Sequence, residues 1–402
     1  MRTLAVAALT ILLILAPSSP ALALAAASRP FPADVAVGPQ VTADAAVLID
    51  ATTGRVLWSR GAEEPRAPAS TTKMMTALVA LEEGNLKSVV TVSPAADATP
   101  GSSAHLRAGE RYTLAQLLVA LLLPSGNDAA VAIAEHVAGS VPAFAERMNA
   151  KARVLGLVAT HFTNPHGLTA AGHYSSALDL ALIARAGLRI PEFARIVDTA
   201  EAQIAGTNSM DQEIRRELHN TNRLLVTYGW VNGVKTGTTD AAGSCLVASA
   251  ARGGVELIAV VLHSSDRWGD ALRLLQWGYA HFSMVQPAAK GQVITTLPVR
   301  LAQDPTARVP VVAAADLTAP LALDELPRMR LIQDLPAAVD APVRRGQLIG
   351  TLQLRVAGQP FAEVPLVAAS TVKRVGLPLL WWRQLQLVLR GSPAARGPGL
   401  PH

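Results

Sequence analysis

The sequence predicts an α+β fold: an antiparallel sheet covered by helices, with an inserted helical subdomain, followed by a small all-β domain. Three observations predict it. Strand-like apolar runs occur at Ala45 to Asp50 and Arg55 to Ser59, and again from Val234 to Leu262, with helix-periodic segments filling the stretch between them. Strands from both ends of a region are most economically joined in one sheet, which leaves the middle as an insertion. Beyond about Gln286 the helical period gives way to short strand runs punctuated by Pro and Gly. The length of 402 residues suits two domains, and a composition half hydrophobic and 16% charged excludes wholesale disorder.

Each element has its own signal. Arg2, the uncharged apolar run Leu4 to Leu15, and small residues at Ala21-Leu22-Ala23 and Ala23-Leu24-Ala25 form the pattern of a secretory signal over residues 1–25. The apolar run is short against the roughly 20 residues that a spanning helix needs. The two runs from Ala45 to Ser59 are separated by Ala51-Thr52-Thr53-Gly54, a hairpin signal. Ser70 opens a helical pattern that runs to about Glu83 and closes at Gly84-Asn85. Thr113 to Leu123, Asp128 to Val137, Pro142 to Leu155 and Ser175 to Ala186 also carry the helical period, with Pro124-Ser125-Gly126 breaking the first from the second. Ser244 to Ala250 and Val255 to Leu262 are strands joined at Arg252-Gly253-Gly254, and Asp266 is a plausible N-cap for a helix to Phe282. In the second domain, strands are expected at Val293 to Val299, Val309 to Ala314, Met329 to Leu335, Gln347 to Val356 and Ala362 to Val367.

The tail from Val375 to Arg390 places Trp381, Leu385, Val388 and Leu389 on one helical face and Arg383, Gln386 and Arg390 on the other. It is too short and too charged to span a bilayer, and a helix lying in the interface fits it better. The net charge is +5, but the arginines are scattered with no run or stripe, so an anionic membrane surface suits the chain and nucleic acid does not. The single cysteine, Cys245, cannot form an intramolecular disulfide and lies in an apolar stretch, where a buried small side chain is expected. The nine histidines show no H-x-x-x-H spacing, and no metal or cofactor is expected.

Three short motifs carry chemistry: Ser70-Thr71-Thr72-Lys73, Ser125-Gly126-Asn127 and Lys235-Thr236-Gly237. The first pattern alone is weak, because Ser370-Thr371-Val372-Lys373 repeats it in what reads as a linker with a basic end. Ser70 differs in standing at a helix start, where free backbone N–H groups favour developing negative charge, with Lys73 on the same helical face. Taken by itself, the pair equally suits an N-cap and a solvated charge. Two facts favour chemistry. S-x-N and K-T-G each occur once, both downstream of Ser70, and the chain uses only six lysines against twenty-nine arginines. Arginine cannot release a proton at working pH, whereas a buried lysine beside another cation can. Lys73 is where a neutral amine would serve as general base.

The motif set S-x-x-K, S-D-N and K-T-G marks penicillin-binding proteins and class A β-lactamases; here the middle one reads Ser-Gly-Asn. The chain resembles the low-molecular-mass penicillin-binding proteins of the D-alanyl-D-alanine carboxypeptidase type over nearly its whole mature length. The segments Pro68 to Thr76, Pro124 to Ala130, Asn164-Pro165-His166-Gly167-Leu168, Gly233 to Thr239 and Leu274 to Tyr279 carry the resemblance, with Ala341-Pro342-Val343 and Gly346 to Gly350 in the tail domain.

The resemblance implies that Ser70 attacks the carbonyl between two D-alanines of the cell-wall stem peptide and that Lys73 takes its proton. It implies that Ser125 relays a proton to the leaving amine and that Asn127 holds the substrate amide and Lys73. The backbone N–H groups of Ser70 and Thr238 would form the oxyanion hole. Lys235 and Thr236 would bind the substrate's terminal carboxylate, with Arg267 as a second partner, while Gly237 keeps the strand edge open to substrate. Asn164 and His166 are read as structural. β-Lactams are implied as covalent inhibitors, and no cofactor is implied.

The domains are expected at residues 1–25 (signal), 38–284 (catalytic), 285–370 (β-domain) and 371–402 (membrane-associating tail), on the outer face of the cytoplasmic membrane. A β-lactamase would need a carboxylate to activate the deacylating water, and Asn164 to Leu168 offers no Glu. A D,D-endopeptidase would use the same residues. A non-catalytic envelope-binding protein is disfavoured by the intact Ser70, Lys73, Asn127 and Lys235.

Overall fold

The structure is a computed structural model that describes residues 38–376 together with 378, 381, 382, 385 and 386. The first strands, β1 (Ala45–Asp50) and β2 (Val56–Arg60), lead into a 3₁₀ turn, Ala69–Thr72, and helix α1 (Lys73–Glu83). The helical region continues with β3 (Val89–Thr91), α2 (Pro94–Asp97), β4 (Arg111–Thr113), α3 (Leu114–Leu122), α4 (Asn127–Ala138), α5 (Val141–Val154), α6 (Ala177–Leu188) and α7 (Pro191–Val197). A hairpin, β5 (Glu201–Thr207) and β6 (Glu213–His219), and α8 (Arg223–Thr227) precede β7 (Val231–Thr239), β8 (Gly243–Arg252), β9 (Val255–Ser264) and α9 (Arg267–His281).

The main sheet is antiparallel in the order β2-β1-β9-β8-β7, so strands from both ends of the region share it. β1 is buried along its whole length because both faces are covered. Ala45, Val47 and Ile49 join the core under the inserted helices, whereas Ala46 and Leu48 pack with Ala271, Leu274 and Leu275 of α9 on the other face. That alternation explains why the strand reads as an unbroken apolar run rather than a polar–apolar repeat. Cys245 of β8 is buried and unbridged in this core.

Among the departures from the sequence reading, two lie in the first region. Ser70 does not open the long helix: it sits in the 3₁₀ turn ahead of α1, where Ala69 adopts φ 48° and the Thr71 hydroxyl donates to the Pro68 carbonyl at 2.6 Å. The β5–β6 hairpin, which completes a four-stranded sheet β3-β4-β5-β6, was not anticipated. Its strands are rich in Glu, Arg, Gln and His, and Ile204 and Leu218 are their fully buried residues, so apolar alternation is faint.

The second region adds β10 (Phe282–Ala288), β11 (Val293–Arg300), β12 (Arg308–Ala313), β13 (Leu317–Ala322), β14 (Met329–Asp334), β15 (Val339–Asp340), β16 (Leu348–Val356) and β17 (Gln359–Ala368). A six-stranded sheet, β14-β16-β17-β12-β11-β15, and the pair β10-β13 enclose a core of its own. Arg55, just ahead of β2, clamps the two regions together: its guanidinium bonds both Glu325 carboxylate oxygens (3.0 and 2.9 Å) and lies over Phe361.

Candidate active site

Three pieces of chain converge on one side chain. Lys73, the first residue of α1, is fully buried; its Nζ lies 2.9 Å from Ser70 Oγ and donates to Asn127 Oδ1 at 2.7 Å and the His166 carbonyl at 2.9 Å. The 3₁₀ turn supplies the serine, the start of α4 the asparagine, and the 164–168 loop the carbonyl. Asn127 is fixed the right way round because its Nδ2 donates to the Pro100 carbonyl at 2.6 Å, an atom that can only accept.

The 164–168 loop is itself held. Asn164 Oδ1 accepts from the Gly167 N–H at 2.7 Å, and the Thr76 hydroxyl of α1 donates to the Pro165 carbonyl at 2.6 Å. Gly167, at φ 89°, lies so close to the nucleophile turn that any Cβ would overlap the Ala69 carbonyl. His173 braces the turn from behind. Its Nδ1 accepts from the Thr163 N–H at 3.1 Å, so Nε2 carries the hydrogen and donates to Thr72 Oγ1 at 2.9 Å. Burial pushes both His166 and His173 down to about 4, so both rings are neutral near pH 7.

Ser125 stands between α3 and α4 at φ 66°, a left-handed conformation that is costly for a non-glycine residue. Its hydroxyl is buried with no hydrogen-bond partner among the described residues, an unmet donor and acceptor in the cleft. Across from it runs β7, the edge strand of the main sheet. Lys235 is buried there with Nζ 3.2 Å from the Thr236 carbonyl, and the Thr236 hydroxyl meets the Thr221 hydroxyl at 2.6 Å. A Cβ on Gly237 would come within 3.0 Å of the Ser70 nitrogen, so glycine lets the strand lie against the nucleophile turn. Arg267, the first residue of α9, reaches back to Thr238 Oγ1 at 2.8 Å and the Gly237 carbonyl at 3.1 Å, with Trp268 beneath its guanidinium.

The electrostatics follow from burying cations together. Burial, then the Lys235 charge, push the Lys73 amine well below the ordinary lysine range, against an opposing pull from Asp128. Burial and Arg267 bring Lys235 down to about 7. A neutral Lys73 has two N–H hydrogens and one lone pair. The Asn127 and His166 oxygens accept only and take the two hydrogens, which leaves the lone pair facing the Ser70 hydroxyl. The arrangement is that of a serine hydroxyl aimed at an amine base.

Of the nine residues singled out in the sequence, Ser70, Lys73 and Asn127 are joined by hydrogen bonds, Gly237 lies against the Ser70 turn, and Arg267 bonds Gly237 and Thr238; Ser125 stands in the link before Asn127, and Lys235 and Thr236 on β7. The sequence reading missed the His166 carbonyl and Thr221. The rigid Asn164-Pro165-His166-Gly167 segment was a usable signal for the first; Thr221, in the loop before α8, had none.

Residues 32–266 match the D-alanyl-D-alanine carboxypeptidase family, and residues 282–374 match the C-terminal domain of penicillin-binding protein 5. The chain is 35% identical to the D-alanyl-D-alanine carboxypeptidase DacF of Bacillus subtilis, over 83% of this chain and 87% of that protein. It is 36% identical to DacA of Escherichia coli, over 83% of this chain and 84% of the relative. Penicillin binding protein 5 from Haemophilus influenzae superposes with a TM-score of 0.71 at 32% identity, covering 85% of this chain and all of that one. The chain therefore belongs to the D-alanyl-D-alanine carboxypeptidase family and is a serine-type carboxypeptidase.

Proposed function

We propose that the chain removes the terminal D-alanine from peptidoglycan stem peptides ending in D-alanyl-D-alanine, through an acyl-enzyme on Ser70. The observation that carries this reading is the three-partner hold on Lys73, which leaves the amine lone pair no direction but the Ser70 hydroxyl. Ser70 Oγ attacks the carbonyl carbon of the D-alanyl-D-alanine bond, and its proton passes to Lys73. The N–H groups of Ser70 and Thr238 take the developing oxyanion, a contribution of about 10²–10³ in rate for each donor. The C–N bond then breaks, and the leaving amine receives its proton through Ser125, whose unpartnered buried hydroxyl suits a relay. Water cleaves the ester and restores Ser70. Asn127 holds the Lys73 amine and the substrate amide; Lys235, the Thr236 hydroxyl and Arg267 bind the terminal carboxylate. The substrate backbone lies along the open edge of β7.

β-Lactams enter the same cleft and acylate Ser70. Residues 1–25 serve as a cleaved export signal, residues 38–284 as the catalytic domain and 285–370 as a spacer that carries it above the outer face of the cytoplasmic membrane. Residues 371–402 associate with an anionic membrane surface. Most of that tail lies outside the described residues, of which Trp381, Trp382 and Leu385 are exposed. No helix among the described residues is long and apolar enough to cross a membrane. The test of the reaction is free D-alanine released from a pentapeptide ending in D-Ala-D-Ala. Release that disappears in Ser70→Ala supports the reading; cleavage of cross-linked dimers with no D-alanine from the pentapeptide would overturn it in favour of an endopeptidase.

A further inference from the structure

The end of the β-domain from which the tail departs is marked by charge. Val343 and Val372 form an antiparallel bridge, with N–H to O distances of 3.0 and 2.9 Å in the two directions. The Arg345 N–H donates to Thr371 Oγ1 at 3.1 Å. This pairing sets Arg344 and Arg345, in the turn between β15 and β16, beside Lys373 and Arg374, which lead directly into the tail. All four are exposed, and none is in an ion pair among the described residues. Of the nearby acids, Asp340 is taken by Arg300 at 2.7 Å, and Asp304, on the segment that pairs with Lys373 and Arg374, accepts from the Thr306 N–H and hydroxyl at 2.8 Å each. From Ala341 to Gly350 and from Ala369 to Gly376 the chain has no Asp or Glu at all. Leu348 and Leu301 are exposed apolar residues at the same end, and the Val375 N–H donates to the Leu301 carbonyl at 2.8 Å.

We propose that this collar is a lipid-contacting surface: Arg344, Arg345, Lys373 and Arg374 bind the headgroup phosphates of an anionic bilayer beside the tail. The inference rests on reading the tail as membrane-associating. Strands facing each other across an antiparallel pair are about 5 Å apart. The four charges therefore lie within roughly one or two Debye lengths at physiological salt and act on a charged surface together. Guanidinium groups match phosphate oxygens with two parallel N–H bonds, which suits Arg344 and Arg345 to headgroups. One amphipathic helix gives only modest, reversible binding, and stable attachment takes a second determinant such as a basic patch. The collar supplies it from a folded domain, so it also fixes which end of the β-domain faces the lipid.

The test uses the full mature chain and flotation with two vesicle types, phosphatidylcholine alone and phosphatidylcholine with phosphatidylglycerol. The wild type should favour the anionic vesicles. R344Q/R345Q should bind them about 25-fold more weakly, at about fivefold for each lost cation, with little change on neutral vesicles. R252Q, at an exposed arginine that ends β8, should bind as the wild type does. D-Alanine release from a soluble peptide should be unchanged in both variants. The collar is refuted if R344Q/R345Q keeps wild-type binding to anionic vesicles, or if R252Q loses as much. W381S/W382S reports on the tail separately: it should weaken binding to both vesicle types while the preference for anionic lipid survives. Wild-type binding by W381S/W382S to neutral vesicles would sink the tail reading, and the arginine arm would still decide the collar.

Discussion

The chain contains the pattern Ser-x-x-Lys twice, and its two copies have opposite fates. Ser70 and Lys73 lie on a 3₁₀ turn running into α1, where residues three apart share a face, and their side chains meet at 2.9 Å. Ser370 lies in the bend that follows β17, Lys373 lies beyond Val372, which bridges Val343, and no hydrogen bond joins the two side chains among the described residues. Lys73 is fully buried beside a second lysine, whereas Lys373 is exposed. The comparison teaches that spacing supplies reach only within a helix, and that burial among cations turns a lysine from a charge into a base. The same four-residue string makes a nucleophile in one place and part of a basic collar in the other.

The largest expected effect breaks the comparison outright. Ser70→Ala should abolish covalent labelling by a fluorescent penicillin, and Ser370→Ala should leave it unchanged; labelling that persists in Ser70→Ala overturns the assignment. Next in size, Lys73→Arg should lower D-alanine release by about 10³-fold, close to the effect of Lys73→Ala, because a guanidinium keeps its proton at any working pH. Lys373→Arg should have no effect on turnover. An active Lys73→Arg enzyme would show that the residue acts through its charge alone.

How much of this was legible in the sequence depended on what kind of atom carries the information. β1 announced itself because burial on both faces leaves Ala45 to Ile49 wholly apolar. The β5–β6 hairpin stayed hidden because its strands lie largely exposed, with charges where a strand signal would need apolar residues. β10 and β13 were missed because Pro287 and Pro320 interrupt short runs that read as punctuation. In the site, Ser70, Lys73, Asn127 and Lys235 were visible as side chains in motifs. The His166 carbonyl was not, since every residue has a carbonyl and only the fold aims this one at Lys73. Thr221 was invisible for a related reason: its meeting with Thr236 joins a loop to a strand fifteen residues on.

The difference between the two lysines can be sharpened by pH. Lys235 is the second cause of the depressed Lys73 proton affinity, after burial. Removing that cation with Lys235→Gln should raise the Lys73 pKa, because a like charge disfavours the protonated amine and its loss restores it. Acylation requires the neutral amine, so the acid limb of the acylation rate should move to higher pH in Lys235→Gln. The rate constant for penicillin acylation against pH reads this shift independently of weaker carboxylate binding. An acid limb that stays put, or moves to lower pH, would show that Lys235 does not tune Lys73.

The smallest effect concerns Thr221, which neither copy of the motif hints at. The Thr236 hydroxyl has one hydrogen, and its 2.6 Å contact with Thr221 can be made in either direction. A carboxylate beside Thr236 accepts only, so with substrate bound Thr221 must donate and Thr236 must turn its hydrogen outward. Thr221→Val keeps the shape and deletes that donor. It leaves the Thr236 oxygen without its partner, a loss of about 1 kcal/mol, which is roughly fivefold in KM for a D-Ala-D-Ala peptide. kcat should hardly move, since the contact is made equally in the ground and transition states. Thr221→Ser should restore KM because it restores the hydroxyl. A Thr221→Val enzyme with wild-type KM, or one whose loss falls on kcat, would show that Thr236 needs no orienting partner to meet the carboxylate.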